Sequence, residues 1–273
     1  MKQKLTWVNA MFSIAAYDSL TFTQLHQSAM KNIDQLTVLV TGASSGIGYA
    51  LALQLAQQGA TVIAWGRNLQ RLQILAAQHH RIQIEAVDIS QSLTLKTAIH
   101  QLQKKHNIDL LIHNAAIQHA CQLEDPNYDT NHILEEISTN LIAPIELSRL
   151  FLPQLRQQAA TRILFISSGL ALLPKKESAV YCASKAAIHS FAEALALQVR
   201  DSSIHVTEYI LPLVDTPMTA NRGSGKLTAH DVAERIITSL QEPPRATIYL
   251  GKAKLLPFLL RFAPWIARRA LQT

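Results

Sequence analysis

Residues 36–58 read LTVLVTGASSGIGYALALQLAQQ, and this stretch decides the fold class. Its first part, residues 36–40, is a β-branched apolar run, which is typical of a buried parallel strand. A glycine-rich turn follows, and the helical pattern of residues 49–58 comes next. A strand, a glycine-rich turn and a helix in this order form the context in which a helix N-terminus binds phosphate.

The three glycines of the turn have different expected roles. Gly42 permits a tight turn, Gly46 lets the backbone approach a pyrophosphate, and Gly48 lets the helix pack closely on the strand. The helix N-terminus adds unpaired N–H groups and the positive end of the helix dipole. The turn therefore predicts a dinucleotide site, and its expected contact residues are Gly42, Ser44, Ser45, Gly46, Ile47 and Gly48.

The end of the second predicted strand, residues 60–65, bears on the choice of dinucleotide. An NAD-selective site usually has a carboxylate at this point for the adenosine ribose, and the sequence has Gly66, Arg67 and Asn68 instead. Arg67 can pair with a 2′-phosphate. The alternative is a solvent-exposed arginine that begins the next helix. The sequence favours NADP(H) over NAD(H).

Further candidates follow the third and fourth predicted strands, residues 82–87 and 109–112. The carboxylate of Asp88, which precedes Ile89, could accept a hydrogen bond from the adenine amino group; alternatively, Asp88 or Ser90 caps the next helix. The residues after the fourth strand are small, which suits a backbone that passes close to the cofactor; they are Asn114, Ala115 and Ala116.

Tyr181 and Lys185 are the candidate proton-transfer pair. They are four residues apart in a helical pattern, so one turn places both side chains on one face. An ammonium beside a phenol lowers the phenol pKa from about 10 and lets it exchange protons with a substrate. Ser168, at the end of the apolar run 163–166, could hold the substrate carbonyl. The alternative is a core tyrosine with an exposed lysine.

Asn140 is a polar amide inside an apolar helical pattern, so it is either satisfied locally or functional. Pro144 is expected to disturb the helix hydrogen bonds near Asn140. Strands are expected at 204–210 and 246–250, with a mobile loop over 218–227 and a helix over 228–240. An apolar substrate is suggested by residues near the expected site, namely Leu170, Leu172, Leu173, Leu213 and Met218.

The composition suits one large globular core, since 48% of the 273 residues are hydrophobic and 16% are charged. The net charge is +6, but no dense basic run lies outside the C-terminus, so we expect an anionic cofactor and no nucleic-acid partner. The two cysteines have neither metal-type nor disulfide-type spacing. We therefore expect no metal site and a cytoplasmic location.

Three regions are expected: an N-terminal extension (1–34), a dinucleotide-binding domain (35–250) and a tail (251–273). One hypothesis is that translation starts at Met30. The tail combines apolar, aromatic and basic residues, which suits a membrane surface. The favoured alternative is packing against its own domain or a second subunit.

Together these motifs resemble the short-chain dehydrogenases/reductases from about residue 36 to 250. The matching residues, in order and spacing, are Thr41-Gly42-x-x-x-Gly46-x-Gly48, Asp88, Asn114-Ala115, Asn140, Ser168 and Tyr181-x-x-x-Lys185. The resemblance implies an α/β fold of the Rossmann type: a doubly wound, mostly parallel seven-stranded sheet with helices on both faces. Other short motifs are similar to a bacterial branch associated with teichoic-acid D-alanylation.

The resemblance also implies roles for individual residues. Tyr181 would be the acid in carbonyl reduction and the base in alcohol oxidation, and Lys185 would lower the Tyr181 pKa and bind the nicotinamide ribose. Ser168 would hold the substrate oxygen. Asn140 would help to position a proton-relaying water, and Thr216 would contact the nicotinamide carboxamide. Family members are commonly dimers or tetramers, so a homo-oligomer is expected.

Three residues depart from the family pattern: His113, Ala116 and Leu213 replace residues that are usually Asn, Gly and Gly. None touches the proton chemistry directly. The sequence therefore predicts an NADP(H)-dependent oxidoreductase that interconverts an alcohol and a carbonyl compound. The alternative is a dinucleotide-binding regulatory or scaffold protein without turnover.

Overall fold

The computed structural model describes residues 31–265 of the chain. All described residues belong to one unit of the chain, which begins at Lys31. The hypothesis of a start at Met30 and the rest of the predicted extension lie outside the described residues. Within the described unit, Lys31 forms an ion pair with Asp109 at 2.6 Å and Ile33 is buried. Residues 31–34 are therefore attached to the domain.

Nine strands are present in the part of the chain that the structure describes. Their bounds are β1 Thr37–Thr41, β2 Thr61–Gly66, β3 Ile82–Ala86, β4 Leu110–His113, β5 Thr161–Ser168, β6 Ile204–Leu211, β7 Val214–Asp215, β8 Leu227–Thr228 and β9 Thr247–Tyr249. Seven of them form one parallel sheet in the order β3-β2-β1-β4-β5-β6-β9. The predicted doubly wound sheet is confirmed. Its order reverses between β1 and β4, where ligands bind in such sheets.

Helices connect the strands and cover both faces of the sheet. Their bounds are α1 Gly46–Gln57, α2 Leu69–Ala76, α3 Ser92–Lys105, α4 Thr130–Ile137, α5 Ala143–Leu155, α6 Ala179–Gln198, α7 Ala229–Ser239 and α8 Leu256–Phe262. Neighbouring residues of β1 show the two layers, since Val38 and Leu39 are both fully buried but belong to different core clusters. Successive strand residues point to opposite faces, so both faces of the sheet are apolar.

Between α4 and α5 the helix widens into a π-helical segment, Ser138–Ile142. Pro144 has no N–H group, so it cannot donate to the carbonyl of Asn140 four residues earlier. The disturbance expected near Asn140 is thus present as a wider turn, a form that helices often adopt at functional sites.

The tail is partly packed and partly exposed. Ala253 is buried, whereas Phe258, Phe262 and Trp265 are 62%, 64% and 68% exposed. None of the described helices is both long and apolar enough to cross a bilayer. Contact of the tail with a membrane or a second subunit remains a prediction.

Candidate active site

The glycine-rich turn lies at the switch point and its geometry fits a pyrophosphate. Gly42 and Gly46 have φ angles of +69° and +57°, which side chains rarely tolerate. A Cβ on Gly42 would lie 2.7 Å from the Cα of Ala115. Ser45 precedes α1 without a side-chain capping bond, so no side chain caps the first N–H groups of α1. The residues present therefore fit the phosphates of a dinucleotide.

Thr41 and Asn114 hold this turn in place. The Thr41 hydroxyl accepts from the N–H groups of Asn114 (3.1 Å) and Ala115 (3.2 Å). The Asn114 amide donates to the carbonyls of Thr41 (2.9 Å) and Gly42 (3.2 Å). Asn114 thus joins the end of β4 to the turn after β1. The structural role of Thr41 was missed from the sequence, because it depends on a contact between distant segments.

Thr216 is brought to the same turn from the far end of the chain. It follows β7 and precedes a short 3-10 turn, Pro217–Thr219. A Cβ on Gly46 would lie 3.1 Å from the Thr216 methyl carbon. Thr216 therefore lies over the glycine turn, next to the proposed cofactor path.

Arg67 is half-exposed and forms an ion pair with Glu135 of α4, Nη1 to Oε1, at 2.7 Å. Asp88 accepts hydrogen bonds from the N–H and the hydroxyl of Ser90, at 3.0 and 2.7 Å. Neither Asp88 nor Ser90 caps α3, because Gln91 occupies the N-cap without a side-chain bond. The capping alternative for Asp88 is therefore wrong. Ile89 is buried, and Ala116 is half-buried.

Tyr181 and Lys185 share one face of α6, and both are buried. The Lys185 ammonium lies 5.7 Å from the centre of the Tyr181 ring and donates to the carbonyl of Ile166 at 3.0 Å. Ser168 ends β5, and its side chain is near enough to the Tyr181 phenol to lower the pKa of that phenol against the effect of burial. The alternative of an exposed lysine is therefore wrong. The fold brings the three predicted groups together at the carboxyl end of β5.

The acid–base properties of this pair differ from the simple expectation. Burial raises the pKa of Tyr181, and the effects of Ser168 and of the Arg222 charge offset only part of that shift. Burial also lowers the pKa of Lys185 to about 8. The expected lowering of the Tyr181 pKa by Lys185 is thus not seen, because the removal of the phenolate from water outweighs every group that lowers this pKa, and Lys185 is not one of those groups.

Asn140 is satisfied locally. Its side-chain oxygen accepts from the N–H of Ile117 at 2.9 Å, and its amide nitrogen donates to the Ile117 carbonyl at 2.8 Å and to the Ser184 hydroxyl at 3.2 Å. The side chain therefore joins the π-helical segment to the segment after β4 and to α6. Its role with a relaying water remains a prediction.

His113, which departs from the family pattern, is a core residue. It is 4% exposed, its Nε2 lies 2.9 Å from the Ser148 hydroxyl, and its ring stacks on Phe165 at 4.7 Å. Burial lowers its pKa to about 3, so the ring is neutral at physiological pH. His113 therefore packs the sheet and takes no part in proton transfer.

The structure adds residues that the sequence did not indicate. Glu136 of α4 is fully buried and accepts from the His119 N–H (2.7 Å) and the Tyr128 hydroxyl (2.9 Å). Arg222 and Glu136 both act electrostatically on Tyr181. Leu256 of the tail lies beside Gly169, directly after Ser168. No periodicity in the sequence links these segments, so only the fold could place them here.

One exposed group of potential metal ligands lies at the start of α7. One ligand atom each from His230, Asp231 and Glu234 lies within 4.8 Å of the others. Acidic residues in a first helical turn complement the helix dipole without any ion, so the cluster carries no metal assignment.

Comparison with known proteins points to one family. A sequence model described as short chain dehydrogenase matches residues 36–227. The uncharacterized oxidoreductase DltE of Bacillus subtilis (strain 168) is 38% identical over 182 residues, which cover 66% of this chain and 72% of that protein. An uncharacterized oxidoreductase of Staphylococcus epidermidis is 31% identical over 227 residues, which cover 80% of this chain and 96% of that protein.

Solved structures share the fold. A short chain dehydrogenase from Burkholderia cenocepacia J2315 in complex with NADP superposes with a TM-score of 0.79 at 23% identity, covering 89% of this chain and 100% of that one. The closed form of serine dehydrogenase complexed with NADP+ has a TM-score of 0.73 at 25% identity, covering 79% and 94%. A 3-ketoacyl-(acyl-carrier-protein) reductase from Brucella melitensis complexed with NADH has a TM-score of 0.74 at 22% identity, covering 81% and 99%.

Proposed function

Because this chain belongs to the short-chain dehydrogenase family, we propose that it is an NADP(H)-dependent oxidoreductase that interconverts a carbonyl compound and an alcohol. One observation carries the proposal: the buried Tyr181 phenol, Ser168 and the Lys185 ammonium lie together at the sheet edge that holds the glycine turn. A protein that only binds a dinucleotide has no need of a buried phenol in this arrangement.

The chain's own residues supply the proton chemistry. In reduction, Tyr181 donates its phenolic proton to the substrate oxygen, which the Ser168 hydroxyl also binds. The raised Tyr181 pKa keeps that proton in place at neutral pH. The Lys185 ammonium then stabilises the phenolate left behind, and with a pKa of about 8 it is largely charged at pH 7. A bound nicotinamide cofactor supplies or accepts the hydride.

The regulatory or scaffold alternative makes a different prediction for purified protein. It allows cofactor binding but no turnover with any carbonyl substrate. The deciding measurement is oxidation of NADPH and of NADH, side by side, across a panel of ketones, aldehydes and 3-oxo acids. Turnover supports the enzyme. Tight cofactor binding without turnover favours the alternative.

Arg67 is the residue proposed to select NADP(H) through the 2′-phosphate. Its ion pair with Glu135 joins two half-exposed side chains, and such pairs contribute only about 0–1 kcal/mol, so a phosphate can displace the carboxylate. An arginine–phosphate contact is stronger because it is charge-assisted and frequently bidentate. The pair with Glu135 is thus compatible with the proposed role.

Arg67→Gln is expected to lower kcat/KM for NADPH by about 10- to 100-fold and to leave NADH within about threefold. The matched variant Glu135→Gln removes the competing partner and keeps Arg67, so its NADPH kinetics should equal or exceed those of the wild type. Steady-state kinetics with both cofactors check this. An equal loss for NADPH and NADH in Arg67→Gln would show that Arg67 does not select the phosphate.

The remaining proposals concern partners and location. Apolar side chains are exposed on α4, on the π-helical segment and at the end of α6, with Leu134, Ile142 and Leu197 at 57%, 52% and 67% exposure. Their exposure supports a homo-oligomer, a dimer or a tetramer, in which a second copy covers these helices. The free cysteines Cys121 and Cys182 suit the proposed cytoplasmic location.

A further inference from the structure

The loop that follows Thr216 holds an arginine in a defined position. The loop is closed at its base by the pairing of β7 with β8, Val214 opposite Leu227. Arg222 lies in its middle, half-buried, between Asn221 and Gly223, whose φ angles are 54° and 56°. Positive φ on both sides of Arg222 bends the backbone sharply at this point.

Two neutral residues connect Arg222 to the catalytic helix. Arg222 Nη1 donates to the Gln118 side-chain oxygen at 2.5 Å, and the Gln118 amide donates to the Ser178 hydroxyl at 2.8 Å. Ser178 is the N-cap residue of α6, one turn before Tyr181. The positive charge of Arg222 reaches the phenol, since it lowers the pKa of Tyr181 against the effect of burial.

Arg222 has no acidic partner among residues 31–265, where no carboxylate forms an ion pair with it. Lys226 of the same loop, by contrast, pairs with Asp215 at 3.1 Å. The two oxygens of Glu136, the other charged group acting on Tyr181, are occupied by His119 and Tyr128. The Arg222 guanidinium bonds the side-chain oxygen of Gln118, and its other N–H groups have the geometry to bind a carboxylate.

We propose that the substrate is a carbonyl or hydroxy acid whose carboxylate binds Arg222 while its carbonyl or hydroxyl group reacts at Tyr181. This inference rests on the proposed function and names its substrate class. It revises the expectation of a purely apolar substrate. Of the residues that suggested one, Leu173 is buried in the core, whereas Leu213 is 39% exposed and lies beside Gly223 of the loop. An acid with an apolar chain suits both the Arg222 guanidinium and the exposed apolar side chain of Leu213.

The test compares 3-oxo acids of four to eight carbons with their methyl esters, in the wild type and in Arg222→Gln. The wild type should prefer the acids. Arg222→Gln should lower kcat/KM for the acids by about 10- to 100-fold, chiefly through KM, and change the esters by less than about threefold. Arg222→Lys should retain part of the preference. Lys226→Gln, in the same loop, should keep the acid-to-ester ratio of the wild type.

Equal turnover of acids and esters by the wild type, or an equal loss for both in Arg222→Gln, would overturn the carboxylate inference alone. Absence of turnover with every acid and every ester would count against the proposed function. In that case, calorimetric titration of the acids into the protein with NADP+ still decides the site. Binding of the acids that is lost in Arg222→Gln supports a carboxylate site at Arg222. Binding that is absent in the wild type, or unchanged in Arg222→Gln, contradicts that site.

A second, independent observation concerns Glu208, a buried carboxylate in β6. It is 1% exposed, and its Oε2 lies 2.5 Å from Nδ1 of His189. Its Oε1 is buried and has no hydrogen-bond partner in the structure as described. A half-satisfied buried carboxylate is costly, so its place in the strand calls for a functional reason.

Glu208 is connected through His189 to the helix that carries the catalytic lysine. Lys185 and His189 are four residues apart on α6 and therefore share a face. The Lys185 ammonium donates a hydrogen bond to the carbonyl of Ile166 in β5. Ile166 is paired with Tyr209 of β6, and Tyr209 directly follows Glu208 in the chain. The Glu208 charge raises the pKa of Lys185, against the larger effect of burial.

Two other titratable groups lie near His189 and Glu208. Glu193 of α6 lies 3.7 Å from Nε2 of His189 and is exposed. Tyr249 of β9 has its pKa raised by burial first, and then by Glu208 and Glu193. On the β5 side the neighbour opposite Glu208 is the apolar Phe165.

We propose that Glu208, oriented by His189, is a positioning residue that keeps Lys185 protonated during turnover.

The test is the alkaline limb of the pH–rate profile for reduction. Wild-type activity should fall as Lys185 loses its proton near pH 8. In Glu208→Gln the midpoint should move to lower pH by roughly one unit, because the carboxylate that favours the ammonium is gone. Glu208→Asp keeps the charge and should keep a midpoint nearer to that of the wild type. His189→Gln should move it in the same direction as Glu208→Gln but less. Glu193→Gln, at the exposed end, should leave it in place.

An unchanged midpoint in Glu208→Gln, with lower rates or stability alone, would show that Glu208 is only structural. If Glu208→Gln does not fold, His189→Gln and Glu208→Asp decide the question. Midpoints identical to the wild type in both would overturn the proposal.

Discussion

Tyr181→Phe is expected to lower kcat for carbonyl reduction by about 100- to 10,000-fold, because it removes the proton donor and leaves the ring in place. The phenol is buried, so water is not expected to take its place as the proton donor. The cofactor affinity should stay within about threefold. Stopped-flow or steady-state oxidation of NADPH measures the rate, and fluorescence titration measures the affinity.

Tyr209→Phe is the matched control for this experiment. Tyr209 is equally buried, but its hydroxyl lies 2.7 Å from that of Ser239, on the face of the sheet away from α6. Its loss should cost about 1 kcal/mol of stability and leave kcat nearly unchanged. A Tyr181→Phe enzyme that keeps activity within tenfold of the wild type would remove the phenol from the mechanism.

Gly48→Ala is expected to destabilise the protein by about 1–3 kcal/mol and to weaken NADPH binding at least tenfold. A Cβ at this position would overlap the carbonyl oxygen of Gly42 and the side-chain nitrogen of Asn114. The Gly42 carbonyl belongs to the turn that presents the phosphate-binding N–H groups, and the Asn114 amide, from the end of β4, donates to that carbonyl. The new methyl group must therefore move α1 away from β1 or break the bond between Asn114 and Gly42.

The direction of the stability change distinguishes Gly48 from a glycine in an ordinary helix interior. In an ordinary helix interior, replacing glycine with alanine stabilises by about 0.8–1 kcal/mol. Chemical denaturation and a fluorescence titration with NADPH measure the two quantities. A Gly48→Ala protein that is as stable as the wild type and binds NADPH equally well would show that the close packing of α1 on the turn is not required.

The sequence allowed the main elements and several site residues to be predicted because their signals are local. A strand of buried β-branched residues, a turn that needs positive φ at Gly42 and Gly46, and two side chains one helical turn apart depend on backbone geometry over a few residues. The observed bounds of β1 and α1, Thr37–Thr41 and Gly46–Gln57, lie close to those expected. The doubly wound sheet of seven strands was expected from the family resemblance rather than from any periodicity, and the strand order came from the structure.

The tertiary structure alone decided the features that depend on burial and on contacts between distant segments. The Thr41–Asn114 bonds, the Arg67–Glu135 ion pair and the place of Arg222 near Tyr181 join parts of the chain that share no local pattern. The raised Tyr181 pKa is the clearest case. The four-residue spacing to Lys185 predicts an ammonium nearby, but the cost of placing a phenolate away from water is set by everything packed around it. Sequence spacing therefore identifies which groups meet along one helix, and only the packed fold determines which of them are desolvated, paired or left free to bind a substrate.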